Sequence, residues 1–142
     1  MTLAEVLAAL VVLSIGLVAL LCVLPLAGSG VREGANRSGA AFLALQRLED
    51  VRRAVGSSKA DDDPLAGGSA AFPDEATLPP PHAAFSRSVH VRDCGLEPGC
   101  SGTQTPGVRQ VTVTVTYPAP AGPGVGSAHR GAVILSTYIG PR

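Results

Sequence analysis

Residues 1–30 of the chain, MTLAEVLAALVVLSIGLVALLCVLPLAGSG, decide how the protein is organised. Glu5 is the only charged residue among them, and the next charge along the chain is Arg32. A helix needs about 20 consecutive apolar residues to cross the hydrocarbon core of a bilayer. This segment exceeds that length, so the sequence predicts a helix that lies in lipid or in a bundle of similar helices.

The position of Glu5 inside this apolar segment is the most informative single feature of the sequence. An ionised side chain in a membrane helix is costly, so such residues usually face an opposite charge and carry a function. In a helix Glu5 can reach the α-amino group of Met1, four residues away, and the amino terminus of a neighbouring chain is equally suited. The sequence therefore predicts an ion pair between Glu5 and a chain terminus.

The segment Met1-Thr2-Leu3-Ala4-Glu5-Val6-Leu7, followed by an unbroken apolar helix, resembles the mature amino terminus of type IV pilins and type II secretion pseudopilins. Residues 14–17 (SIGL) and 41–54 (AFLALQRLEDVRRA) are similar to the minor-pilin branch, the pilus modification subunits. The resemblance implies that prepilin peptidase cuts before Met1, that the new terminus is N-methylated, and that Glu5 pairs with a neighbouring subunit during assembly.

The same resemblance implies a location and a set of partners. The subunit would be held in the bacterial inner membrane before assembly. It would then join itself or homologous pilins in a helical filament, at the cell surface or spanning the periplasm, with a role such as adhesion or motility.

Two other interpretations fit an apolar amino-terminal segment: a secretory signal peptide and a plain membrane anchor. A signal peptide has basic residues ahead of a shorter apolar region, whereas no Lys or Arg precedes Arg32 here. Residues 27–29 (AGS) still fit a signal peptidase site. Neither interpretation explains an acid at position 5. A chain already cleaved by prepilin peptidase is expected to lack the basic flank, because the family's leader carries it.

Composition limits the remaining possibilities. The 142 residues are 46% hydrophobic but only 4% aromatic, and much of the apolar content lies in the first segment, so one small domain with a modest core is expected. The formal net charge is zero, which argues against nucleic acid as a partner because phosphate-binding surfaces need a basic excess. No nucleophile motif, phosphate-binding loop or carboxylate pair is recognisable, so we predict neither an enzyme nor a cofactor.

Three cysteines are present, and two of them, Cys94 and Cys100, enclose a short loop that contains glycine and proline. Their spacing does not match a redox motif, and a second ligand pair for zinc is missing. In an exported chain a structural disulfide between them is favoured, with Cys22 left as a buried thiol in the apolar helix. Three successive aspartates, residues 61–63, lack the spacing of a calcium loop, so no metal site is predicted.

Helix-weakening residues lie within and just after the apolar segment, namely Gly16, Pro25, Gly28, Gly30 and Gly34. Proline kinks or opens a helix, and each glycine costs about 1 kcal/mol relative to alanine. We therefore expect a weak zone across these residues. It is either an ordinary proline kink or, as the resemblance implies, a hinge that melts on assembly and lets the fibre stretch.

From residue 35 to residue 55 apolar side chains recur every three or four positions, which predicts an amphipathic helix with one buried stripe. The predicted stripe consists of Gly39, Phe42, Leu45, Leu48, Val51 or Arg52, and Val55. Gly56 is expected to end the helix. Residues 57–82 are rich in Pro, Gly and Asp, which predicts a long surface loop.

Alternating, β-branched segments predict three strands, over residues 85–92, 108–117 and 131–139. Phe85, Val89 and Val91 share one face of the first, and Val111, Val113 and Val115 share one face of the second. The third is denser in apolar residues and is expected to be more buried. The Pro/Gly-rich residues 118–126 predict an antiparallel hairpin with a large loop between the second and third strands.

The predicted fold is α+β, with a long bent N-terminal α-helix, apolar in its first half and amphipathic in its second, packed on a small antiparallel β-sheet of three to four strands. The resemblance implies that this is the pilin fold. The predicted parts are a transmembrane or filament-core helix (1–31), an amphipathic helix (32–56), a surface loop (57–82), and a sheet with the Cys94–Cys100 loop (83–142).

Three functions stay open at this point. The first is a structural subunit of a type IV pilus-like filament. The second is a pseudopilin of a type II secretion system, a short piston in place of an external fibre. The third is a membrane-anchored periplasmic binding module that never polymerises.

Overall fold

A computed structural model describes residues 2–58, 63–96, 99–102, 104–119 and 129–140, except for the side chains of residues 22–27. The elements are helix α1 (Leu3–Ser57), one 3-10 turn (Gly68–Ala71), and strands β1 (Ser86–Asp93), β2 (Arg109–Pro118) and β3 (Arg130–Ile139). The protein is therefore α+β, as predicted. It divides into two compact units, Met1–Ala35 and Asn36–Arg142.

The first unit consists of the apolar part of α1. Leu3–Leu21 is long and apolar enough to span a membrane, and none of that segment is buried. A signal sequence near an amino terminus meets the same criteria of length and composition. The chain remains helical through the predicted weak positions Gly16, Pro25, Gly28 and Gly30.

The second unit contains the sheet and the remainder of α1. β2 lies in the middle of the three described strands and pairs antiparallel with β1 on one side and β3 on the other. The register sets Val89, Val113 and Leu135 side by side. Since side chains alternate along a strand, odd-numbered residues of all three strands share one face, and that face is apolar.

The hydrophobic core forms where α1 covers this apolar face. The helix and the sheet contribute ten buried side chains between them: Ala40, Leu43, Ala44, Leu48, Val51, Val89, Val111, Val113, Val115 and Tyr117. The predicted faces of the first two strands are therefore confirmed. Gly131 is required beside this core, because a Cβ at that position would collide with the ring of Tyr117.

The predicted helix stripe is wrong at Phe42 and Leu45, whose side chains are 65% and 59% exposed. The buried line instead passes through Ala40, Leu43 and Ala44. The prediction was based on the spacing of the large apolar side chains. Small alanine side chains let a helix approach a sheet closely. Because successive residues are about 100° apart around the helix, Phe42 and Leu45 then point away from the sheet.

The prediction that the third strand is more buried is also wrong. β3 has no fully buried residue, and its side chains alternate between half-buried and exposed. Ile134 is 64% exposed. The reason is topological: β2 has a described neighbour on each side, whereas β3 lies at the edge of the sheet.

The segment between α1 and β1 is held against the sheet more firmly than a surface loop would be. Leu65 and Leu78 are buried in the core. Glu75 forms a one-residue antiparallel bridge with Arg87, with backbone hydrogen bonds of 2.8 and 2.9 Å. The guanidinium of Arg87 also contacts the Glu75 carboxylate at 2.6 Å and donates to the carbonyl oxygen of Leu43 at 3.3 Å. Arg87 therefore joins the segment, the strand and the helix.

Adjacent substitutions on α1 test the corrected helix face. Leu43→Ala should lower the free energy of unfolding by about 3 kcal/mol, because it removes a buried side chain and leaves a cavity. Phe42→Ala should change it by no more than about 0.5 kcal/mol, because the ring is largely exposed. Denaturant titration of the full chain in mild detergent measures both. Equal losses for the two variants would contradict the observed packing.

Candidate functional site

The first turn of α1 is closed by a local hydrogen bond to Glu5. The backbone N–H of Thr2 donates to Glu5 Oε2 at 3.1 Å, and Thr2 Oγ1 lies 3.5 Å from the same oxygen. Thr2 directly precedes the helix, so this is the glutamate half of a Thr-x-x-Glu capping box. Sequence reasoning missed this role, although the residues Thr2-Leu3-Ala4-Glu5 carry the pattern.

The cap uses only one of the two oxygens of Glu5. Within the described part of the chain, Oε1 accepts no hydrogen bond. An ionised carboxylate has about four acceptor positions, so it is able to keep the cap and accept from a further donor at the same time. Met1, the predicted partner and processed terminus, lies outside the described residues.

The polar groups of the apolar segment are not equivalent. Ser14 Oγ contacts the carbonyl oxygens of Leu10 and Val11 at 2.7 and 2.9 Å, so its donor is used within its own helix. Such a bond to the preceding turn is how a hydroxyl is accommodated in an apolar helix. Between Leu3 and Leu21, Glu5 is therefore the side chain with capacity for an ionic partner.

The surface around Glu5 is apolar on every side. The large side chains from Leu3 to Leu21 are all exposed. A helix that is apolar all round is stable only in lipid or buried among other helices. Exposure of this kind in a single copy of the chain indicates that the segment needs an environment that the chain itself does not supply.

Among the described residues, nothing requires glycine at the predicted hinge positions Gly16, Gly28 and Gly30. A Cβ built on Gly16, Gly28 or Gly30 would meet no atom within 4 Å. The helix penalty of about 1 kcal/mol per glycine is thus not compensated by close packing within this copy. Either the helix is weak there or another helix approaches closely, as small residues permit in membranes. The side chain of Pro25 lies outside the described part.

The structure joins Cys94 and Cys100 in a disulfide, with the two Sγ atoms 2.00 Å apart and both residues buried. The loop is fastened to the sheet at two points. The Cys94 N–H donates to the carbonyl of Val108 at 2.8 Å, and the Tyr138 hydroxyl donates to the carbonyl of Ser101 at 2.8 Å. Cys94 and Ser101, on either side of the disulfide loop, are therefore both hydrogen-bonded at one end of the sheet.

Acidic and histidine side chains do not converge within the described residues, where no group of three or more could hold a metal ion. Two of the three aspartates of the calcium alternative, Asp61 and Asp62, lie outside those residues. The third, Asp63, pairs with Arg109 at 2.6 Å and accepts from the Leu65 N–H, so it is engaged in holding the connecting segment.

Comparison with known proteins adds no relative to this picture. No family model matches the chain, and no curated protein or solved structure is similar to it at a significant level.

Removal of the disulfide should destabilise the second unit. In the double variant Cys94→Ala, Cys100→Ala we expect the free energy of unfolding to fall by about 2 kcal/mol, because the unfolded chain gains the freedom that the loop closure removes. Cys22→Ala is the matched control, since it removes a sulfur without removing the crosslink. A double variant as stable as this control would show that the crosslink contributes nothing.

Proposed function

We propose that the protein is a structural subunit of a type IV pilus-like helical filament, that it has the pilin fold, and that it is closest to the minor-pilin branch. The observation that carries the proposal is Glu5. It is the only charged residue of the apolar, exposed segment Leu3–Leu21, and one of its carboxylate oxygens is not engaged within the described chain.

The exposed apolar surface of Leu3–Leu21 favours burial first in the membrane and then in the filament. Before assembly Leu3–Leu21 lies in the inner membrane, where its apolar surface is covered by lipid. In the filament the same surface is covered by the helices of neighbouring subunits. The second unit has a core of its own and so does not need to enter the helical bundle in order to fold.

Glu5 determines how neighbouring helices align. A carboxylate without a partner costs free energy inside an apolar bundle. Neighbouring helices therefore pack with the axial offset that brings a donor to Glu5. The α-amino group of a neighbouring Met1 is the donor that such a bundle offers. Because the acid of one subunit meets the terminus of the next, the contact is head to tail and does not close, which produces a helical fibre.

Substitution of Glu5 separates the capping role from the charge. Glu5→Ala should abolish incorporation into filaments. Glu5→Gln should fail as well, because glutamine retains a capping oxygen but carries no charge. Thr2→Ala, which keeps the charge and the backbone cap donor, should still assemble. The measurement is the amount of protein in sheared filaments, normalised to its amount in the membrane fraction.

The outcomes of this experiment distinguish the alternatives. If Glu5→Gln assembled normally, Glu5 would act only as a helix cap. If the wild-type protein never entered a filament, the chain would be an anchored module of the periplasm. Filaments confined to the periplasm would identify a secretion pseudopilus, which uses the same contacts. Intact mass analysis showing cleavage near Ser29 would identify the segment as a signal peptide.

The weak zone of α1 has a mechanical consequence for the assembled fibre. Replacing Pro25, Gly28 and Gly30 by alanine should strengthen the helix, by about 1 kcal/mol for each glycine. We expect fibres of the triple variant to extend less under force in an optical trap. Gly140→Ala, in which the added methyl group meets no atom within 4 Å, is the control. Unchanged extension would favour a static proline kink.

A further inference from the structure

The outer face of the sheet, opposite the face that α1 covers, carries the even-numbered residues of the three strands. The register places these residues in rows that cross the sheet. The two rows at the end next to Cys94 consist of Arg92, Gln110 and Tyr138, and of His90, Thr112 and Ser136. None of the outward residues of the three strands is acidic. An anionic ligand is therefore the electrostatic complement of this face.

Arg92 supplies a cation that the protein does not use internally. The residue is exposed, and within the described part of the chain its side chain forms neither an ion pair nor a hydrogen bond. The arginines at positions 47, 87 and 109, in contrast, all pair with carboxylates. A guanidinium has paired N–H groups that match the two oxygens of a carboxylate. The guanidinium of Arg92 is therefore open to a carboxylate of a ligand.

Tyr138 supplies an aromatic ring in the same row. Its hydroxyl donates to the carbonyl oxygen of Ser101 at 2.8 Å and lies 3.4 Å from Gln110 Nε2. These contacts hold the far end of the side chain, while 46% of the residue remains exposed. A ring that is already held loses little conformational entropy when a ligand packs on it. The negative face of such a ring attracts the C–H groups of a sugar.

A groove of about 250 Å³ continues this face toward the other end of the sheet. The side chains that line it include Ser86, Ser88, Thr114 and Thr116 of the strands and Asp74 of the connecting segment. The hydroxyls of Ser86 and Thr116 contact each other, whereas those of Ser88 and Thr114 have no partner within the described residues. Hydroxyls donate and accept, and a carboxylate accepts from adjacent hydroxyls. The groove therefore suits a sugar that has no carboxylate of its own.

We propose that the outer face of the sheet binds an acidic polysaccharide in which uronate sugars lie next to uncharged sugars. Arg92 pairs with the uronate carboxylate, Tyr138 stacks on a sugar ring, and the groove binds an uncharged sugar. Ser88 lies four residues before Arg92 on β1, about 13 Å along the strand, which a short oligosaccharide spans. All of these residues belong to the second unit, so the assignment does not depend on the proposed filament.

Other anionic polymers match fewer of these features. An acidic peptide brings carboxylates but no ring that carries adjacent hydroxyls. A single strand of nucleic acid has a phosphate on every nucleotide, so Asp74 in the groove would repel it. Tight binding of nucleic acid also needs several cations. The outward residues of the three described strands provide two arginines, Arg92 and Arg130.

A fluorescently labelled hyaluronan oligosaccharide is the probe, because uronate and uncharged sugars alternate along it. Full-length protein in detergent micelles should bind it saturably, as measured by fluorescence anisotropy. A chitin oligosaccharide of equal length, which lacks the uronate, should bind about fivefold more weakly. Arg92→Ala and Tyr138→Ala should each weaken hyaluronan binding about fivefold, since each removes one contact. Arg53→Ala, which removes an exposed cation from α1, is the matched control and should bind as the wild type does.

A wild-type protein that binds no hyaluronan would overturn the proposal, and so would a folded Arg92→Ala or Tyr138→Ala variant that binds it as tightly as the wild type. Circular dichroism checks the fold. If Tyr138→Ala does not fold, Arg92→Ala decides the matter, because Arg92 is exposed and unpaired within the described chain. Displacement of hyaluronan by an equal concentration of single-stranded DNA would identify a general polyanion site and overturn the proposal too. Glu5→Ala should bind hyaluronan normally, which separates this result from filament assembly.

Discussion

The strongest physical constraint on the protein is the apolar helix segment Leu3–Leu21, which the described residues leave uncovered. From Leu3 to Leu21 no residue is buried, and the one polar hydroxyl, that of Ser14, is satisfied within the helix. Burial of apolar surface is the main favourable term in folding and in association. The core of the second unit is complete without this segment. In the proposed filament the helix would exchange lipid for other helices while the second unit remains folded.

The capping hydrogen bond changes what Glu5 is able to do. A glutamate on an exposed helix normally samples several rotamers and loses that freedom when it forms an ion pair. Here Thr2 holds Oε2 in the first turn and so fixes the direction of the second oxygen. A carboxylate fixed in advance meets an incoming ammonium group with less loss of entropy. The cap would therefore favour the proposed intersubunit contact.

The sequence was sufficient for the features that depend on local pattern, and insufficient for those that depend on which elements become neighbours. Alternation along β2 predicted its buried valines, and the Thr-x-x-Glu cap was readable, although it was overlooked. Phe42 was predicted to be buried but is exposed, because small alanine side chains form the contact between helix and sheet. β3 was predicted to be more buried than it is, because its density of apolar residues does not show that it lies at the edge of the sheet. The Glu75–Arg87 bridge joins residues twelve positions apart and leaves no periodic signal.

If the protein is the filament subunit proposed above, the contrast between the two sheet edges bears on the number of copies in a fibre. The chain covers the β1 edge with the segment before that strand, through Ser69 and Glu75. It gives β3 no such cover within the described residues. In a long fibre of identical subunits every copy would carry an open strand, and such edges promote aggregation unless each is filled. An edge left open in this way is easier to reconcile with a subunit present in few copies, which agrees with the minor-pilin class proposed above.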